Sequence, residues 1–185
     1  MTKNKIDPAI EKILFTYEEI LAGIKKCANW INRKIKLDEE YIMINVLKGS
    51  LPFGGHLLPL IKGDIKLDFF SVSSYQTGTN QTIPRIILDT TNNVENKNVI
   101  IVEDIIDSGT TLKFLIEILK QRKAKSIILI SLFHKKQNAL HKFDIDMMSP
   151  LTLPNEWVVG FGLDCNNKWR NLPYLGILKK EYRTK

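Results

Sequence analysis

The stretch "NVIIVEDIIDSGTTLKFLIEIL", residues 98–119, decides how the rest of the chain is read. It opens on an apolar run and passes into acid at Glu103, Asp104 and Asp107. It then continues as Ser108-Gly109-Thr110-Thr111 and ends in an amphipathic pattern. Residues 98–104 read as a buried strand and 109–122 as a helix. In an open parallel sheet, ligands bind beyond the carboxyl ends of the strands, which is where Glu103 through Thr111 fall. The Asp-Ser-Gly-Thr-Thr run ahead of a helix supplies free backbone N–H groups, hydroxyls and the positive end of a helix dipole, a set suited to phosphate. It is neither GxxxxGK[ST] nor GxGxxG, which excludes an ordinary P-loop and a dinucleotide fingerprint. Glu103 and Asp104 suit the two hydroxyls of a ribose whose 5′-phosphate lies on the loop. Asp107 would then face whatever attacks or leaves at the sugar's C1. A helix N-cap at Asp107 or Ser108 accounts for one acid but not for three.

Working outward, "TYEEILAGIKKCANWINRKI" carries a capping box at Thr16 and Glu19 ahead of apolar residues at 20, 21, 24, 27, 28 and 31, the pattern of an amphipathic helix. "YIMINVL" (41–47) reads as a buried strand, followed by "KGS" and a helix from Pro52 to Ile61. "IKLDFFSV" (65–72) is a further strand, "SSYQTGTNQTIP" (73–84) a loop or flexible hairpin, and "RIILD" a strand on its far side. "SIILISLF" (126–133) follows the helix as another strand. Strands alternating with helices imply an α/β fold with a twisted, mostly parallel sheet flanked by helices. Residues 1–15 read as a leader that packs late or frays. The tail from 144, with Pro150, Pro154 and Pro173, reads as a small appended subdomain.

The composition sets bounds. At 185 residues, with 44% hydrophobic and 25% charged residues, the chain suits one domain with a core of its own. The opening "MTKNKID" has no apolar stretch behind it, and no run approaches a membrane span, so neither secretion nor a membrane is expected. Cys27 and Cys165 lack metal-ligand spacing and suit a reducing cytoplasm. His56, His134 and His141 form no zinc-type cluster. The net charge of +7 is spread along the chain instead of gathered into an arm, which argues for a lysine-rich surface and against nucleic acid as the partner.

"VEDIIDSGTTL" resembles the phosphoribosyl pyrophosphate signature of the type I phosphoribosyltransferases, and most closely their hypoxanthine-guanine branch. Three more stretches match that branch in order: "VLKGSLPFGGHLL" (46–58), "DFFSVSSY" (68–75) and "WVVGFGLDCNNKWRNLPYLGIL" (157–178). The resemblance spans residues 10 to 180 or so and implies one domain over 1–185. Its core would cover about 36–135, with a hood made of about 1–15 and 136–185.

The resemblance also implies site roles. Glu103 and Asp104 would bind the ribose, and Asp107, Ser108, Gly109, Thr110 and Thr111 the 5′-phosphate, with Asp107 also the catalytic base. Leu47, Lys48 and Gly49 would cradle pyrophosphate across a cis Leu47–Lys48 bond, joined by Ser74 and Tyr75 from a closing loop and by Arg170. Lys135, or adjacent Lys136, would donate to a purine 6-oxo group, with Trp157 stacking on the base and Val158 offering its backbone. Asp164, with Glu103 and Asp104, would bind Mg²⁺. The implied activity is transfer of phosphoribosyl from phosphoribosyl pyrophosphate to a 6-oxopurine by a dimer or tetramer. A xanthine-preferring enzyme and a nucleic-acid-binding regulator on the same fold are the alternatives. Two departures from the family pattern, "DMMSPLTLP" (146–154) and Cys165 beside Asp164, are expected near the base pocket.

Overall fold

In the computed structural model, which describes residues 6–76, 82–135 and 142–183, three parallel strands form the centre of the main sheet. They are β2 (Glu40–Val46), β5 (Asn98–Ile106) and β6 (Ser126–His134). Each reads as a nearly unbroken apolar run because both faces are covered, and alternate side chains go to opposite cores. Tyr41, Met43, Ile100, Val102, Ile128 and Ile130 face one core, which also takes Ile20, Ile24 and Ile31 of α1 (Tyr17–Lys34) and Phe53 of α2 (Leu51–Leu57). Ile42, Ile44, Val99, Ile101 and Leu129 face the other, with Leu112, Leu115 and Leu119 of α3 (Thr110–Gln121).

The helices start where the sequence expects. Thr16 accepts from the Glu19 N–H and Glu19 returns the bond to the Thr16 N–H, the reciprocal box read from the chain. The helix after the "KGS" turn is shorter than expected. Pro59 has no N–H to continue the ladder, and Leu58–Leu60 form one 3₁₀ turn instead.

The sheet continues through β3 (Asp64–Gln76), parallel to β2, and β4 (Thr82–Leu88), antiparallel to β3. Of the two readings of 73–84, loop or hairpin, the hairpin holds for the described part: antiparallel pairing runs to Gln76 and resumes at Thr82, while residues 77–81 lie outside the described set. Pro84 is tolerated there because β4 is the sheet edge. On the other side β7 (Asp146–Met148) and β8 (Leu151–Thr152) both pair with β6 in parallel. Residues 146–152, expected in the appended part, thus belong to the main sheet, because Met147, Met148 and Leu151 face its two cores.

A second sheet has three strands in the order β1 (Ile10–Phe15), β10 (Leu175–Leu178), β9 (Val158–Val159), all antiparallel. Of residues 1–15, read as a leader that packs late or frays, the described part packs. Ile10 pairs with Leu178 and Phe15 with Leu175, and Ala9 and Ile10 are buried against Val159, Tyr174 and Leu178. Among the described residues, no helix is long and apolar enough to cross a membrane.

Candidate active site

β5 ends at Ile106 and α3 begins at Thr110, so Asp107-Ser108-Gly109 form the turn between them at the carboxyl edge of the sheet. Gly109 is the helix N-cap, with φ of 81°, a left-handed conformation open to glycine. Asp107 and Ser108 precede the cap, and Ser108 Oγ meets Thr110 Oγ1 at 3.1 Å and accepts the Thr110 N–H at 3.4 Å. The start of the helix faces a cleft of about 260 Å³, which Ser108 to Leu112 line together with Glu103, Asp104 and the 47–49 segment. A helix N-terminus with glycine and hydroxyls before it suits an anion.

The opposite wall is the turn after β2. The Leu47–Lys48 bond is cis, as the resemblance implies. Ser50, fully buried, donates to the Val46 carbonyl at 2.6 Å and so closes this turn. A Cβ placed on Gly49 would lie 1.6 Å from Asp104 Oδ2, so only glycine lets the loop approach that carboxylate. Behind Gly49 lies Gly162, with φ of 98°, where a Cβ would stand 2.0 Å from the Gly49 carbonyl oxygen. The 160–172 segment and the core loop therefore meet backbone to backbone.

The acids differ in environment. Glu103 is buried, and its Oε1 accepts the Asp104 N–H at 3.2 Å. Burial, and then the adjacent Asp104 carboxylate, push its carboxyl well above the ordinary glutamate range. Asp104 Oδ1 accepts the Ile105 N–H at 2.9 Å. Asp107 is half-exposed, and its Oδ2 lies 3.3 Å from Lys135 Nζ, whose side chain is only 11% exposed.

A second cavity, of about 570 Å³, adjoins the first. Lys135, Trp157, Val158 and Asp164 line it, along with Asn155, Glu156 and Leu163, which sequence reasoning missed. Asp104, Ile105 and Asp107 line both cavities, so the two meet at those acids. Trp157 is 48% exposed, while its carbonyl accepts the Leu178 N–H at 2.8 Å. The indole can therefore face the cavity while its backbone is fixed by β10.

Not every expected residue joins these cavities. Arg170 lines neither: Nη2 pairs with Asp164 Oδ1 at 2.6 Å, and Nη1 donates to the Gly162 carbonyl at 2.8 Å. Ser74 and Tyr75 lie in β3 on backbone grounds, but their side chains, like Lys136, fall outside what the structure describes. Among the described residues no cluster of three or more acidic, His or Cys side chains forms a ready metal cage, and Glu103 and Asp164 line different cavities. Residues 146–154 and Cys165, expected near the base pocket, adjoin its lining without being part of it: the lining includes Asn155, just after Pro154, and Asp164, just before Cys165. Cys165 itself is buried in the small sheet's core, with Sγ 3.8 Å from the Tyr182 carbonyl.

A glycine-hydroxyl turn at a helix start, facing a second cavity across shared acids, fits the sugar-phosphate transferases that the sequence resembles. Residues 12–166 match the model of the phosphoribosyl transferase domain, and the chain belongs to that family. Its relatives include the hypoxanthine-guanine phosphoribosyltransferase of Streptococcus pyogenes, 40% identical over 97% of this chain and 99% of that one. That of Lactococcus lactis is 38% identical over the whole of both. Among solved structures, a hypoxanthine phosphoribosyltransferase from Staphylococcus aureus aligns with a TM-score of 0.87 at 33% identity, covering 96% of each chain. A variant of the Trypanosoma cruzi enzyme complexed with its product IMP aligns with a TM-score of 0.85 at 32% identity, over 96% of this chain and 94% of that one.

Proposed function

We propose that this chain transfers the phosphoribosyl group of phosphoribosyl pyrophosphate to N9 of hypoxanthine or guanine in purine salvage, giving IMP or GMP and pyrophosphate. The observation that carries this reading is the meeting of two cavities at Asp104, Ile105 and Asp107, one walled by a phosphate loop and the other by Lys135 and Trp157. The 5′-phosphate lies on residues 107–111, and the ribose hydroxyls face Glu103 and Asp104. Pyrophosphate rests against the Leu47–Lys48–Gly49 backbone. Arg170 fixes Asp164 at the rim, and Ser74 and Tyr75, in β3, join in holding pyrophosphate. The purine lies on Trp157 beside the Val158 backbone.

The Lys135–Asp107 pair gives the reading its chemistry. A 6-oxo group is an acceptor that draws Lys135 Nζ toward the base and away from Asp107. A 6-amino group is a donor and cannot do so. Asp107 then takes the N7 proton as the N9 lone pair attacks C1. The C1–oxygen bond breaks, and its electron pair leaves with pyrophosphate. A positioned base of this kind contributes roughly 10²–10⁴ in rate.

The donor set fits Mg²⁺. Asp104 and Asp164 are hard oxygen ligands lining one cavity. Mg²⁺ is usually held by one or two carboxylates plus substrate phosphates, so a closed protein cage is not required. Asp104 and Asp164, with Glu103 behind them, would hold it; bound, it neutralises the charge developing on pyrophosphate. The active form is a homo-oligomer, dimer or tetramer.

Steady-state rates with hypoxanthine, guanine, xanthine and adenine, at saturating phosphoribosyl pyrophosphate and Mg²⁺, test the proposal. Turnover of hypoxanthine or guanine with adenine inert is expected. Preference for xanthine or adenine, or no turnover with any base, overturns it.

A further inference from the structure

The base cavity is walled by a segment with little packing of its own. Residues 155–157 lie outside any strand or helix, and β9 contributes only two residues. Its support comes from the C-terminal end of the described chain. Arg183 is only 18% exposed in its side chain, low for an arginine so near the end. Its Nε donates to the Leu178 carbonyl at 2.7 Å, and Nη2 lies 3.4 Å from Glu156 Oε2 and 3.9 Å from Glu11 Oε2. The Leu178 N–H in turn donates to the Trp157 carbonyl at 2.8 Å. One guanidinium thus reaches the cavity wall by two routes, through the Glu156 side chain and through the backbone of β10 to Trp157.

We propose that Arg183 is a positioning residue for the purine half of the reaction, clamping Glu156 and Trp157 so that the indole presents a fixed face to the base. This rests on the function proposed above. Arg183 lines neither cavity, so it acts through Glu156 and β10 and not by touching substrate. The fork geometry matters. An arginine can serve a carbonyl and a carboxylate together in one plane, whereas a lysine offers a single point charge.

The test compares the two Michaelis constants. Arg183→Ala is expected to raise the KM for hypoxanthine or guanine roughly five- to tenfold. The KM for phosphoribosyl pyrophosphate should stay within about twofold, because the donor cleft shares none of these contacts. Arg183→Lys should recover part of the loss, and adding Glu156→Gln to Arg183→Ala should cost less than the two changes do separately. Ile10→Val, which loosens the same small sheet without touching Glu156, separates destabilisation from positioning and should leave both constants unchanged. Equal rises in the two constants, or a purine KM that moves as much with Ile10→Val, overturn the clamp alone. A wild-type chain inactive on every 6-oxopurine overturns the clamp together with the proposed function.

Discussion

The two ends of the central sheet hold similar numbers of carboxylates and treat them in opposite ways. At the amino edge Glu39 is gripped by Lys125 at 2.8 Å, Asn98 at 2.7 Å and Lys36 at 3.1 Å, and Glu40 pairs with Lys66 and Lys97. Hydrogen bonds from Lys125, Asn98 and Lys36 hold the Glu39 carboxyl down at about 2. At the carboxyl edge Glu103 is pushed up by burial and by Asp104, and the acids line cavities. The amino edge is settled within the fold, whereas the acids of the carboxyl edge line open cavities. A protein stores the capacity to bind in the end that it leaves unbalanced.

Substitutions at each end should separate these roles. The largest effect is expected from Asp107→Asn, which should lower kcat by about 10²–10⁴ while nucleoside monophosphate affinity changes little. Calorimetric titration beside single-turnover kinetics checks this, and equal loss of binding and turnover would refute the base assignment. Lys135→Met should cost roughly 10- to 100-fold in kcat/KM for hypoxanthine, the worth of a charged hydrogen bond, and should erode the discrimination against adenine. A competition assay with both bases reads this directly.

Stability should respond in the opposite order. Glu39→Gln should lower the thermal midpoint at neutral pH and leave kcat unchanged. A depressed carboxyl contributes fully above its unfolded value, and that contribution is lost as pH falls toward the folded value of about 2. The gap in midpoint between wild type and variant should therefore be full near pH 7, shrink below the ordinary glutamate range and close near pH 2. The smallest shift is expected from Glu103→Gln, with the reverse sign. Replacing a buried, acid-flanked carboxylate by a neutral amide should raise the midpoint at neutral pH by about 2–4 °C, while turnover falls. A lowered midpoint would show that the two ends do not differ as described.

Much of this was legible in the chain because the main sheet writes its own signals. The strand–turn–helix at 98–119 combines an apolar run, a glycine-hydroxyl turn and a helical period, all within one local stretch. β1 was not legible, since it is stabilised by β10 more than 150 positions away and its burial falls mainly on Ile10. The roles of Asn155 and Glu156 were hidden for a related reason: nothing about a polar pair before a tryptophan says which way the backbone turns it. Cys165 shows the limit of reasoning by neighbourhood: it follows Asp164 directly in sequence, yet it turns into the small sheet's core.

The contact between Gly49 and Gly162 has a consequence for how this enzyme can change over generations. Where the segment carrying Asp164 rests on the turn after β2, neither partner has a side chain, so the joint cannot be refined by exchanging one residue for a slightly larger one. Adjustment at that seam has to come from moving whole elements. Side-chain change is therefore open at the outer wall of the larger cavity, where Asn155, Glu156 and Trp157 offer side chains to alter, and closed at the Gly49–Gly162 seam.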